Sequence, residues 1–187
     1  QVLSSAASDV YKRQVWEHQE KVFWLLDETA PQVEVTTATT IMALNVAYIP
    51  EFVKWKVNQN FKKINKWPLG AGGINMHYAY WPPQLNLKVL PANIKQQVTD
   101  KYEQEFYPWI EDNWDRFTGV AESGISKQDF LDAPYGIKRF KGVINFMNQE
   151  DWSARLPETK QWLNLVNKQR NWGNKFHDVF PILSELL

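Results

Sequence analysis

The side chains best placed for chemistry lie in two short stretches, Thr36 to Asn45 and Asn75 to His77. The first is β-branched, with Val33, Val35, Thr36, Thr37, Thr39, Thr40 and Ile41 in near succession. Residues branched at Cβ fit a pleated strand better than a helix. After Asn45 the period changes: Pro50 suits the first turn of a helix, and Phe52, Val53, Val57 and Phe61 recur at helical spacing. In a strand–turn–helix unit, functional groups sit just past the carboxyl end of the strand, here Thr40 to Asn45. On the second stretch Asn75 and His77 share one side of an alternating strand. Hydroxyl, amide and imidazole groups bind polar ligands, but each has a structural reading as well. The threonines can reflect strand propensity, Asn45 can close a turn, and Asn75 with His77 can be a satisfied polar pair in the core.

Other chemistries lack their residues. No Ser/His/Asp or paired-carboxylate arrangement stands out, and Glu111, Asp112 and Asp115 read as a solvated helix face. His18 and His177 fall in helical stretches without metal-ligand spacing to His77. The sequence contains no cysteine, which excludes disulfides and thiolate-ligated metal within the chain. Residues 68–73, PLGAGG, lead into a strand with no Gly-Lys-Ser/Thr and form no phosphate loop.

The elements that must position these groups follow from periodicity. Residues 15–28 predict an amphipathic helix with Val15, Val22, Phe23 and Leu26 on one face, broken at Thr29-Ala30-Pro31. Residues 31–57 supply the first strand and its helix. Residues 74–81 alternate, with Ile74, Met76, Tyr78 and Tyr80 on one face and Asn75, His77, Ala79 and Trp81 on the other, ending at Pro82-Pro83. Two strands around one helix predict a right-handed parallel βαβ unit.

Beyond Pro91 the pattern is helical. Ile94, Val98, Tyr102 and Phe106 repeat every four residues, and Pro108 is expected to kink or end that helix. Ser126 to Asp129 matches a capping box, and Ile137, Phe140, Ile144 and Met147 mark the next helix. Residues 156–171 and 175–187 predict a last helical pair.

The 187 residues carry 21 basic and 21 acidic side chains, a formal net charge of zero, which argues against a nucleic-acid partner. No apolar run is long enough for a bilayer, and the mean hydropathy of −0.49 agrees, so no membrane partner and a cytoplasmic location are expected. Aromatic residues make up 14%, including ten tryptophans. They supply either stacking platforms or, for Trp55, Trp109, Trp114, Trp152, Trp162 and Trp172, core packing. Residues 1–14 lack a consistent period, and their run DVYKRQ resembles the translation of a sequencing-library adapter. They are expected to be a non-native leader on a chain cut open at its amino end.

The order of these features resembles one family. It comprises the strand into Asn45 with Pro50 opening the next helix, a second strand ending in Pro82, and Leu90-Pro91 opening a long helix. Asp151-Trp152-Ser153, Arg170 and a closing Phe180-Pro181 pair follow. Over residues 15–187 this is similar to the carboxyl-terminal half of the twitch-type radical SAM proteins of phage and marine bacterial sequences. Asn167 and Ile182 stand where the family pattern has acids. The resemblance implies an α/β fold, the late part of a partial (βα) barrel over residues 15–90 with two parallel strands, followed by a helical region over 91–187. It implies S-adenosylmethionine (SAM) and a [4Fe–4S] cluster as cofactors of the full-length protein. The CxxxCxxC cluster loop would lie in a missing amino-terminal half, this chain's expected partner, and a peptide is the implied substrate. In such a barrel Thr36, Ala38, Thr40 and Met42 point inward, where small and hydroxyl side chains leave room for a nucleoside and can bond its ribose. Thr36, Thr40, Asn45, Asn75 and His77 are then the candidate cofactor contacts.

The rival reading is a non-enzymatic α+β binding module that holds a peptide or glycan on exposed aromatics. Open, apolar edges on the first two strands would favour the truncated barrel.

Overall fold

In a computed structural model, residues 16–29, 37–59, 61, 74–117, 124–133, 136–170 and 180–186 are described. The fold is α/β and mostly helical, built on a two-stranded parallel sheet. Residues 1–14, expected to be a leader, and Val15, Val33, Val35, Thr36 and Trp172 lie outside the described residues. Among the described residues, no helix is long and apolar enough to cross a membrane.

Helix α1 (Trp16–Thr29) precedes strand β1 (Thr37–Ile41), and helix α2 (Ile49–Asn58) connects it to β2 (Ile74–Tyr78). Pro50 occupies the first turn of α2, where its missing N–H costs nothing. Glu51 in that first turn suits the positive end of the helix dipole. Phe61 lies beyond the end of α2 yet is buried, with its ring 4.7 Å from Trp24 and 6.1 Å from Phe23 and Trp55. The α1 face differs from expectation. Phe23 meets Trp55 edge-on at 5.7 Å, but Val22 and Leu26 are exposed, and Asp27 is buried. The helix docks on α2 through its aromatic residues, which turns its aliphatic residues outward.

The strands pair in parallel, Thr37 to Ile74 through Ile41 to Tyr78. β2 is three residues shorter than its alternation predicts. Ala79 N still donates to Ile41 O at 2.9 Å, but β1 ends there and Tyr80 N turns back to Tyr78 O at 3.0 Å. With no ladder to hold it, the alternation fails: Ala79 is buried and Tyr80 exposed, the reverse of the expected faces.

Two 3₁₀ turns, Pro83–Leu85 and Leu87–Val89, lead into α3 (Ala92–Lys101). Pro108 neither ends nor breaks the helical path. A π-helical turn, Tyr102–Phe106, precedes α4 (Tyr107–Asp112), and Tyr107 N donates to Tyr102 O. The wider turn changes the bonding just ahead of the proline, whose ring would otherwise clash with the carbonyl four residues back. Ile94, Val98, Tyr102 and Phe106 are all buried.

Ser126 caps α5 (Lys127–Asp132): its Oγ accepts from Asp129 N at 3.2 Å and donates to the Asp129 carboxylate at 2.6 Å. Helix α6 (Ile137–Asn148) buries Ile137, Phe140, Val143, Ile144 and Met147, and Phe140 meets Phe106 edge-on at 4.8 Å. Helix α7 (Leu156–Arg170) follows a 3₁₀ turn whose start is fixed by Ser153 N donating to Asp151 Oδ1. The expected final helix is instead, in its described part, the 3₁₀ turn Pro181–Leu186. One hydrophobic cluster runs from Ile41 through Val53, Val98 and Phe140 to Leu183. Trp109, Trp114, Trp152 and Trp162 pack partly buried against it.

Candidate functional site

Parallel pairing sets Ala38 beside Asn75 and Thr40 beside His77. Partners in a ladder project to the same side of the sheet, so these four residues form one face. All four are exposed. The opposite face, with Ile41 and Ile74 fully buried, packs on the core. Thr40, Asn75 and His77 are thus brought together on the solvent side, and neither Asn75 nor His77 is a core polar group. Thr36 falls outside the described residues.

Asn45 occupies the turn after β1 and closes it. Its Oδ1 accepts from Met42 N and its Nδ2 donates to Thr40 O, both at 2.9 Å. The 3₁₀ turn Val46–Tyr48 comes next and is clamped by the end of α3 and the π turn that follows it. Tyr102 OH donates to Val46 O and Lys101 Nζ to Ala47 O, each at 2.8 Å. Lys101 also pairs with Glu51 at 2.5 Å, which ties the clamp to α2. Ala43 N donates to Leu85 O at 2.9 Å, joining the turn to the segment after β2. Side-chain and backbone hydrogen bonds together thus tie the turn after β1 to its neighbours.

Beyond β2, Tyr80 and Trp81 are 64% and 83% exposed. Tyr80 stands edge-on to Tyr78 at 6.2 Å and to Phe146 at 5.4 Å, and Tyr78 stacks on Phe146 at 4.5 Å. Beside β1, a cleft of about 400 Å³ is lined by Val22, Phe23, Leu26, Phe52 and residues Thr37 to Thr39.

Two features escape the sequence reading. Lys56 is fully buried, its Nζ 3.5 Å from Thr37 Oγ1, and loss of hydration lowers its pKa to about 7. Its spacing from Ile49 and Val53 puts it on the buried side of α2, so helical periodicity carried the signal. The second is a junction around Lys88, whose ammonium pairs with Glu150 and lies 4.8 Å from the Phe146 centroid and 5.3 Å from that of Trp152. Trp152 Nε1 donates to Glu150 Oε2 at 3.0 Å, and Lys95 Nζ donates to Glu150 O at 2.8 Å. Hydrogen bonds from Lys88 and then Trp152 hold the Glu150 carboxyl below its ordinary pKa. Lys88 sits in a short 3₁₀ turn, where no period marks burial.

Among the described residues, no group of three or more His, Cys, Asp or Glu side chains could hold a metal ion. The whole sequence has no cysteine, so a thiolate-ligated [4Fe–4S] cluster does not fit this chain. No model of a known protein family, no curated protein and no solved structure matches the chain.

Proposed function

We propose that the chain is the late part of a twitch-type radical SAM partial barrel, and that the face bearing Thr40, Asn75 and His77 belongs to its SAM site. The observation that carries this reading is the parallel register, which gathers a hydroxyl, an amide and an imidazole on the face the core does not cover. That donor set fits a ribose and an amino-acid head group, which need directional hydrogen bonds on a surface without bulky side chains; Ala38 leaves that room. The apolar cleft beside β1 adds support, since a barrel strand and its helix would meet apolar side chains there.

When bound over a reduced cluster, SAM supplies a 5′-deoxyadenosyl radical for hydrogen abstraction from a substrate, in this reading a peptide. This chain's residues contribute binding and orientation. Thr40 and His77 hold the nucleoside from adjacent strands, while Asn45, occupied by Met42 N and Thr40 O, fixes the turn beside them. The cluster ligands belong to the amino-terminal half of the same protein, the partner this reading requires. The test is recovery of the coding sequence upstream of residue 15, followed by anaerobic assay of the full-length protein for 5′-deoxyadenosine. An upstream region without CxxxCxxC, or a folded full-length protein that leaves SAM intact, would sink the proposal.

The exposed Tyr80 and Trp81 favour a second reading, a non-enzymatic module that holds a peptide or glycan on aromatic rings. Calorimetry of the isolated chain separates the two: oligosaccharide or peptide binding lost in Trp81→Ala supports the module.

A further inference from the structure

The turn after β1 is held from a third direction, by residues near the carboxyl end of the chain. Ile182 N donates to Tyr48 OH at 3.2 Å across 134 positions of sequence. The Phe180 ring meets the Tyr48 ring edge-on at 5.7 Å, and Lys101 Nζ lies 5.5 Å from the Tyr48 centroid on its way to Ala47 O. Leu183, fully buried in the core, anchors the turn Pro181–Leu186. Tyr48 N in turn donates to Asn45 O at 2.9 Å, and the Asn45 side chain bonds Met42 N and Thr40 O. An unbroken path of hydrogen bonds therefore runs from Ile182 to the last residues of β1.

We propose that Tyr48 is a positioning residue, through which the C-terminal turn Pro181–Leu186 braces the turn that carries Asn45 and so sets the carboxyl end of β1. The brace rests on the SAM reading only for what that turn would serve; its mechanics are independent of any ligand. A brace of this kind is cheap to build. The anchor is apolar burial at Leu183, while Tyr48 is coupled to the turn by a ring contact with Phe180 and by one polar contact, its hydrogen bond with Ile182. Removing the polar contact alone leaves Leu183 and the ring pair in place and loosens the turn.

Amide hydrogen exchange on the intact chain, without ligand, tests this. Tyr48→Phe removes only the oxygen that accepts from Ile182 N. The amides of Met42 and Val46, which bond to Asn45 Oδ1 and Met42 O, should then exchange about fivefold faster, as expected for one lost hydrogen bond. Amides of α6 should keep their rates. Acceleration shared equally with α6 would mean a loss of global stability alone and would overturn the proposal, as would no change at the turn. Ile182→Pro deletes the donor of the same bond and should reproduce the local effect. The double variant should exchange no faster than either single one, whereas additive acceleration would show two independent contacts and overturn the coupling. If Tyr48→Phe fails to fold, the comparison of turn and α6 rates in Ile182→Pro decides alone. Because SAM is absent throughout, failure here leaves the SAM reading standing, and failure of that reading leaves the brace standing.

Discussion

Thr40 and His77 are register partners on the solvent side of a parallel pair, 37 positions apart in sequence and adjacent in the ladder. A hydroxyl and an imidazole so placed can address one ligand from two strands. Neither side chain is buried, so either can be changed without opening a cavity.

Thr40→Val should therefore leave the unfolding free energy of the chain within about 0.5 kcal/mol of wild type, as for most surface changes. On the proposed SAM reading, it should also weaken SAM binding in the full-length protein by about 1 kcal/mol, the net value of one neutral hydrogen bond. Unchanged affinity in a folded variant, measured by calorimetry, would assign Thr40 to strand propensity alone.

Much of this arrangement was legible in local pattern. Pro50 marked the start of α2, Ser126 the start of α5, and the four-residue repeat from Ile94 to Phe106 named the buried face of α3 and the π turn. The β-branched run and the alternation from Ile74 to Tyr78 marked both strands. What failed was set by tertiary partners. β2 ends early because β1 has no residue to pair beyond Ile41, and α1 turns Val22 outward because Phe23 and Trp24 find Trp55 and Phe61. The sequence left Asn45 open between turn and ligand, and its two backbone hydrogen bonds show the turn role directly. The Tyr48–Ile182 bond was invisible because nothing local marks a contact so distant in sequence.

Gly136 offers a test of the α5–α6 junction. A Cβ there would sit 2.2 Å from the Phe130 carbonyl oxygen, a backbone atom that cannot swing aside. Gly136→Ala should cost about 1–3 kcal/mol, in the range of overpacked sites, and alanine is also the poorer residue at this N-cap position. Denaturant unfolding that shows an equal or higher midpoint would mean that the two helices shift apart freely.

Incubation of this chain with iron and sulfide under anaerobic conditions should yield no protein-bound cluster, because the sequence supplies no thiolate. Iron and sulfide measured after desalting check this. Stoichiometric retention would overturn the assignment of cluster binding to the amino-terminal half.

Lys56 should make stability rise with pH above neutrality. Its folded pKa is lowered to about 7 by burial from an ordinary value of 10.5. Below about pH 7 both folded and unfolded states carry the proton, and folding bears the cost of taking an ammonium out of water. Between about pH 7 and 10.5 the unfolded state binds more protons than the folded one, so unfolding free energy increases with pH across that window. Lys56→Met keeps an unbranched side chain on the buried side of α2 and removes the titrating group. The difference in stability between wild type and this variant isolates Lys56 from the other ionisable groups, which titrate in both proteins. Urea unfolding at pH 7 and pH 9 should show wild type gaining on the variant at the higher pH. A difference that stays constant, or one that moves the other way, would mean that Lys56 keeps its proton throughout, held by a partner strong enough to offset its lost hydration.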